Sequence, residues 1–209
     1  LLGADAEAFC AAYDITEAGN FEGHAIPHLL AAGDKPQSAL DNARATLLAA
    51  RNQRPRPGRD DKILADWNAM MVTALTQAAQ IFERPDWLAL AETAFAAARR
   101  ALTDANGQLF HAARGGRRLA ISLAGDYGFM GQAAAALYAA TGTADYCALA
   151  EADAHHLHAY FADGDRGGYF SNRTDEAGLL VNNRPVQDNA QPSACLLYTS
   201  DAADDTPCV

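Results

Sequence analysis

The sequence predicts a mainly α fold in which helix pairs, joined through short strands, stack on one another. Three observations predict it. Alanine is abundant while aromatic residues make up only 8% of the chain, a balance that favours close-packed helices over sheets. Apolar residues recur at i, i+3, i+4 and i+7 through the middle of the chain. One unit also occurs twice: Asp66-Trp67 returns as Asp126-Tyr127, Met70 as Met130, Asp86-Trp87 as Asp145-Tyr146, Leu90-Ala91-Glu92 as Leu149-Ala150-Glu151, and Phe110 as Phe170. The offset is 59 or 60 throughout, which assigns the length changes to the two connecting loops.

The opening LLGADAEAFCAAYDI reads as a helix already under way, broken at residues 16–20, so the natural N-terminus is expected upstream. A helix over about 38–52 precedes the basic, Pro-rich loop 54–59. In the first unit Trp67, Met70, Met71, Ala74, Leu75, Ala78 and Phe82 form one predicted buried stripe. Trp87, Leu90, Ala91, Ala94, Phe95, Ala98 and Leu102 form another after Arg84-Pro85-Asp86, where proline suits a helix start and aspartate its first turn. Gly107 then opens a strand over 108–112, and Gly115-Gly116 signals the hairpin to its partner. The second unit repeats this with Gly167-Gly168 before Tyr169-Phe170. Such pairs cannot bury both faces alone, so they stack into an open solenoid or close into a ring.

A net charge of −10 repels phosphate backbones and anionic membrane surfaces, so neither nucleic acid nor membrane is expected as a partner. No apolar run approaches the roughly 20 residues that cross a bilayer, and a cytoplasmic protein is expected. Cys10, Cys147, Cys195 and Cys208 show no CxxC or zinc-like spacing, so reduced, buried thiols are expected, with no metal and no cofactor. The end of the chain is unlike the rest: CLLYTSDAADD can be encoded by a string resembling a transposon-based sequencing adapter. Residues 195–209 are therefore expected to be a non-native tail.

At GNFEGHAIPHL, RPGRDDKILADWNAMM, DYGFMGQAAAALYAATG, GGYF and NNRPVQDNAQPSA the sequence resembles the bacterial thioredoxin domain-containing protein family and its eukaryotic, spermatogenesis-associated thioredoxin-like relative. The resemblance runs across residues 1–194. It implies a thioredoxin-like N-terminal domain, absent here, followed by an (α/α)6 toroid of the six-hairpin glycosidase class, similar to N-acylglucosamine 2-epimerase. Residues 1–194 would be part of that toroid, with the thioredoxin-like domain of the same full-length chain as a partner.

Asp66 and Asp126 take the same place in both repeats, just before an apolar helical stretch. There a carboxylate stabilises a helix start by roughly 0.5 to 2 kcal/mol. If the ring closes, the same residues meet at its mouth as general acid and base on a sugar. Arg59-Asp60-Asp61-Lys62 reads alone as a solvated turn; the resemblance makes Asp60, Asp61 and Lys62 lining of the mouth, Asp61 as a further catalytic candidate, and sets Asn68 of the Asp-Trp-Asn motif beside the substrate. Glu22 and His24 lie on a segment bracketed by Gly19 and Gly23, where unusual backbone angles let the chain approach a ligand. His155, His156 and His158 read as exposed, since no ligand set accompanies them. Arg184 and Asp188, in a loop between prolines, suit sugar hydroxyls. Trp67 and Tyr127 read first as core and second as stacking platforms for a pyranose. Two functions follow: a sugar-active enzyme, epimerase-like or hydrolase-like, or a non-catalytic module that binds a glycan or a protein client for a thioredoxin-like domain.

Overall fold

The computed structural model describes residues 1–30, 40–185, 187–188 and 191–193. The expectations for Cys195, Cys208 and the tail 195–209 lie outside the described residues. The chain divides into two compact units, Leu1–Asp60 and Asp61–Val209.

The first unit carries a short 3-10 helix Gly3–Asp5, helix α1 (Ala6–Ala12) and helix α2 (Asp41–Asn52). Phe9 and Tyr13 stack at 4.4 Å, and the Arg44 guanidinium donates to the Tyr13 hydroxyl at 2.7 Å. Between the helices the chain makes a tight hairpin, with Phe21 and His24 exchanging backbone hydrogen bonds of 2.9 and 2.8 Å around Glu22-Gly23. Both turn residues have positive φ, 48° and 76°, as a two-residue hairpin turn requires. Gly19 is also required, because a Cβ there would meet the His24 carbonyl oxygen at 2.6 Å.

The second unit is two helix pairs. Strand β1 (Ile63–Leu64) leads into α3 (Ala65–Ile81), which turns back as α4 (Pro85–Leu102); β2 (Ala112–Arg114) and β3 (Arg117–Arg118) follow, then α5 (Ala124–Thr141) and α6 (Ala144–Phe161). The strands form one antiparallel sheet ordered β1-β2-β3, closed by Gly115-Gly116 with both φ values positive. The hairpin lies where the glycines signalled it, but β2 starts at Ala112 rather than at residue 108. The core is Phe95, Leu102, Tyr127, Met130, Leu137, Leu157 and Phe161, each at most 2% exposed. Helix α3 packs on both α4 and α5, and α5 packs on α6.

The repeat is visible in the backbone. Ala65 N–H donates to the His111 carbonyl and Ala124 N–H to that of Ser171, at 2.9 and 3.0 Å; Phe110 and Phe170 N–H donate to Leu102 and Phe161, both at 2.9 Å. Each pair thus ends in a loop that returns to the start of its own first helix. One length change lies inside a helix rather than in a loop. Asp66 is the second residue of α3 whereas Asp126 is the third of α5, Gly125 being the insertion.

The apolar stripe of α3 is a correction. The buried residues are Ala65, Asp66, Ala69, Val72, Thr76 and Ala79, whereas Trp67, Met71 and Phe82 face outward. Both faces of this helix are apolar, and the one with small side chains allows the closer approach of two neighbouring helices. In α4 the stripe is as read, with Ala91, Phe95, Ala98 and Leu102 buried, except that Leu90 is exposed. Cys10 and Cys147 are free thiols, half-buried rather than buried. Among the described residues no helix is long and apolar enough to cross a membrane.

Candidate functional site

The junction between the two helix pairs gathers the titratable groups. His111 ends the loop after α4, and its backbone is stitched on both sides: its carbonyl accepts from Ala65 N–H at 2.9 Å and its N–H donates to Ile121 at 2.8 Å. Its Nδ1 then lies 2.9 Å from Asp126 Oδ1 in the first turn of α5. Asp126, 1% exposed, also accepts from Leu123 N–H at 3.2 Å through Oδ2. Asp66, 8% exposed at the start of α3, accepts from Trp67 N–H at 2.8 Å and from the Gln191 amide at 3.1 Å. Asp66, His111 and Asp126 each offer an atom within 4.8 Å of the others.

Electrostatics follow from this packing. The hydrogen bond to Asp126 raises the pKa of His111 above its ordinary value; burial opposes this, Asp126 and Asp66 add to it as charges, and Lys62 subtracts. Burial pushes the Asp126 carboxyl up, His111 pulls it back, and the neighbouring Asp66 raises it again. Both shifts favour the protonated form of their group. The same donors would suit a divalent cation by type.

Asp66 and Asp126 open onto a cleft of about 590 Å³ whose walls include Trp67, Met70, Phe129, Ser171, Pro185, Gln187, Gln191 and Pro192. The repeat-equivalent aromatics have separated. Trp67 is 62% exposed on the cleft, against the reading that placed it in the core. Tyr127 is 1% exposed, stacks on His156 at 4.5 Å and takes the Leu109 N–H on its hydroxyl at 2.9 Å, so it is core and offers no face to a sugar. His156, which stacks on Tyr127, corresponds by sequence offset to Ala97 in the first repeat, and α5 is shifted by the inserted Gly125. His156 is accordingly half-buried rather than exposed as read, and burial lowers its pKa, whereas His155 and His158 are exposed.

The other expected residues are placed apart from the cleft walls. Asn68 donates back to the Leu64 carbonyl at 2.7 Å. Asp61 pairs with Arg114 at 2.5 Å on an exposed surface, and Lys62 is near enough to His111 to oppose its protonation. Arg184 is clamped on the hairpin loop of the second repeat, donating to Gly167 at 2.7 Å with Asp163 at 3.5 Å. Asp188 accepts from Ser193 N–H at 2.9 Å, bracing the segment that delivers Gln191. Asp60, Glu22 and His24 belong to the first unit, where Glu22 and His24 are exposed on the hairpin turn. Sequence reasoning missed His111 and Gln191. The signal for His111 was its place one residue after the repeated Phe110, the point at which the loop meets the next helix pair.

No family model matches the chain. An uncharacterized protein of Caenorhabditis elegans is 32% identical over 167 residues, 76% of this chain and 22% of that protein, so the chain spans about a fifth of that relative's length. Among solved structures, cellobiose 2-epimerase from Spirochaeta thermophila is similar with a TM-score of 0.50 and 22% identity, over 65% of this chain and 40% of that one. An alpha-1,6-mannanase from a Salegentibacter species reaches a TM-score of 0.49 at 16% identity, over 71% and 43%. What the likeness shows is the fold: the chain is mainly α, with the stacked helical hairpins of an (α/α)6 toroid.

Proposed function

We propose that the cleft is a carbohydrate site doing acid–base chemistry, epimerase-like rather than an inverting hydrolase. The observation that carries this is the convergence of Asp66, His111 and Asp126 within 4.8 Å, with both carboxylates on the wall of a cleft that Trp67 also lines. Inverting hydrolysis needs its carboxyl groups about 6.5 to 9.5 Å apart to admit a water. Here the nearest ligand atoms are within 4.8 Å, which argues against the inverting spacing. The imidazole joined to one carboxylate suits taking a proton from a sugar carbon next to a carbonyl and returning it to the other face. In this reading Asp126 fixes the His111 tautomer with Nδ1 engaged, leaving Nε2 for proton exchange, and Asp66 serves as the second acid or base. The exposed Trp67 ring offers a face to the apolar side of a pyranose. The fold of the epimerase neighbour is compatible, although fold alone does not assign a reaction.

The motifs shared with the thioredoxin domain-containing family support a further part of the proposal: a cytoplasmic full-length protein in which residues 1–194 belong to the toroid, 195–209 are foreign, and a thioredoxin-like domain is attached. The test is a thermal-shift screen of the full-length protein against a sugar library, since a ligand that binds only the native state raises stability. A stabilising sugar that is also turned over supports the enzyme. Binding without turnover supports the glycan-binding module instead, and full turnover by both Asp66→Asn and Asp126→Asn removes these residues from the chemistry.

A further inference from the structure

Resting on the carbohydrate reading above, we infer that this cleft selects uncharged or cationic sugars and rejects anionic ones such as sugar phosphates and uronates. The two charged side chains on its described walls are Asp66 and Asp126, and no Arg or Lys lines it among the described residues. The cations nearby lie off the described walls. Arg184 is held by Gly167 and Asp163, Arg114 by Asp61, and Lys62, which acts on His111, does not line the cleft. On the described walls themselves two carboxylates stand without a cation, with His111 and Lys62 off those walls.

The starts of α3 and α5 do not reverse this. A helix N-terminus ordinarily attracts phosphate because its first N–H groups are unsatisfied and its dipole is positive. At this junction a donor at each start is taken by the aspartate: Trp67 N–H donates to Asp66 Oδ1 at 2.8 Å and the N-cap Leu123 N–H to Asp126 Oδ2 at 3.2 Å. Each helix start has its own aspartate carboxylate against it, so among the described wall residues an entering phosphate or carboxylate meets two carboxylates and no Arg or Lys. A neutral ring meets Trp67, Met70 and Phe129, and an ammonium group gains from the aspartates.

The test has two arms. Trp67 and Trp87 are the two tryptophans of the chain, so in a Trp87→Phe variant Trp67 reports on the cleft alone. Relative to free N-acetyltryptophanamide, quenching by iodide is expected to fall several-fold more than quenching by caesium at equal ionic strength, and Asp66→Asn/Asp126→Asn should restore iodide access. Equal relative access of iodide and caesium overturns the inference. The second arm titrates the full chain with glucose, glucosamine and glucuronate, which share a ring and differ in charge. Glucuronate is expected to bind at least tenfold more weakly than the other two. Glucuronate binding as tightly as glucose overturns the charge inference and leaves the carbohydrate reading standing. Failure of all three at tens of millimolar overturns the carbohydrate reading and this inference with it.

Discussion

His111 Nδ1 and Asp126 Oδ1 are 2.9 Å apart across the joint between two repeats, the imidazole from the loop that closes one helix pair and the carboxylate from the helix that opens the next. Because the His111 backbone is bonded to Ala65 on one side and Ile121 on the other, the ring is presented by the joint itself. Its position is thus set by packing of the pairs rather than by a flexible loop.

This contact gives a titration. His111 is expected to titrate above its ordinary value by NMR, and Asp126→Asn should bring it below that value, since the partner's charge is lost while burial remains. The folded state binds this proton more tightly than the unfolded one. The stabilisation is therefore complete below about pH 6.5 and is lost as pH rises through the raised folded-state value. A His111 titration unchanged in Asp126→Asn would show that the carboxylate does not hold the proton.

Asp66 separates capping from chemistry. Asparagine can still accept the Trp67 N–H, and the Gln191 amide can turn to accept from it, so Asp66→Asn should keep the circular dichroism spectrum and most of the stability. Asp66→Ala should lose roughly 1 kcal/mol. Asparagine cannot exchange a proton near neutral pH, so turnover of any sugar found by the screen should drop on the order of 100-fold in the Asn variant. Undiminished turnover would leave Asp66 a structural residue.

The fold was legible because periodicity and repetition are local properties of the chain. The helix pairs, the Gly115-Gly116 turn and the two aspartates could be found without coordinates. What was not legible depended on which neighbour faces which. Trp67 and Tyr127 match in the sequence repeat, yet one is exposed while the other is buried against His156. The α3 stripe was misplaced because the large apolar residues Trp67 and Met71 were weighed above the small ones, Ala65, Ala69, Val72 and Ala79, that pack inward. His111 carries no motif of its own; its role arises only when the loop is bonded back to Ala65.

The hairpin carrying Glu22 and His24 depends on one glycine. Gly19 has φ +70°, and a Cβ would lie 2.6 Å from the His24 carbonyl oxygen, an approach that backbone atoms cannot relieve without moving the turn. Gly19→Ala is expected to cost at least about 1 kcal/mol from the left-handed backbone alone, and to raise amide exchange at Phe21 and His24. Gly23→Ala, where a Cβ has open space around it, pays only the backbone part and should be milder. Equal effects of the two substitutions would remove the close contact as the cause.

Arg99 and Asp153 join α4 to α6 through two contacts of 2.8 and 2.7 Å, with side chains 15% and 3% exposed. Burial raises the Asp153 pKa and Arg99 opposes it, with burial the larger effect. Removing the arginine leaves a carboxylate sealed between helices, and breaking a buried pair in this way typically costs about 3 to 5 kcal/mol. Arg99→Met should therefore lower the denaturation midpoint strongly at neutral pH. The sign of the pH dependence follows from the raised value: protonated Asp153 is favoured in the folded state, so the deficit should shrink as pH falls and the carboxyl takes up a proton. Replacing both residues, Arg99→Met with Asp153→Leu, should recover most of the loss because no charge then remains to be buried. A defect in Arg99→Met that is the same at pH 4 and pH 8, or that persists in full in the double variant, would show that the packing of the arginine stem, and not the stranded carboxylate, holds these helices together.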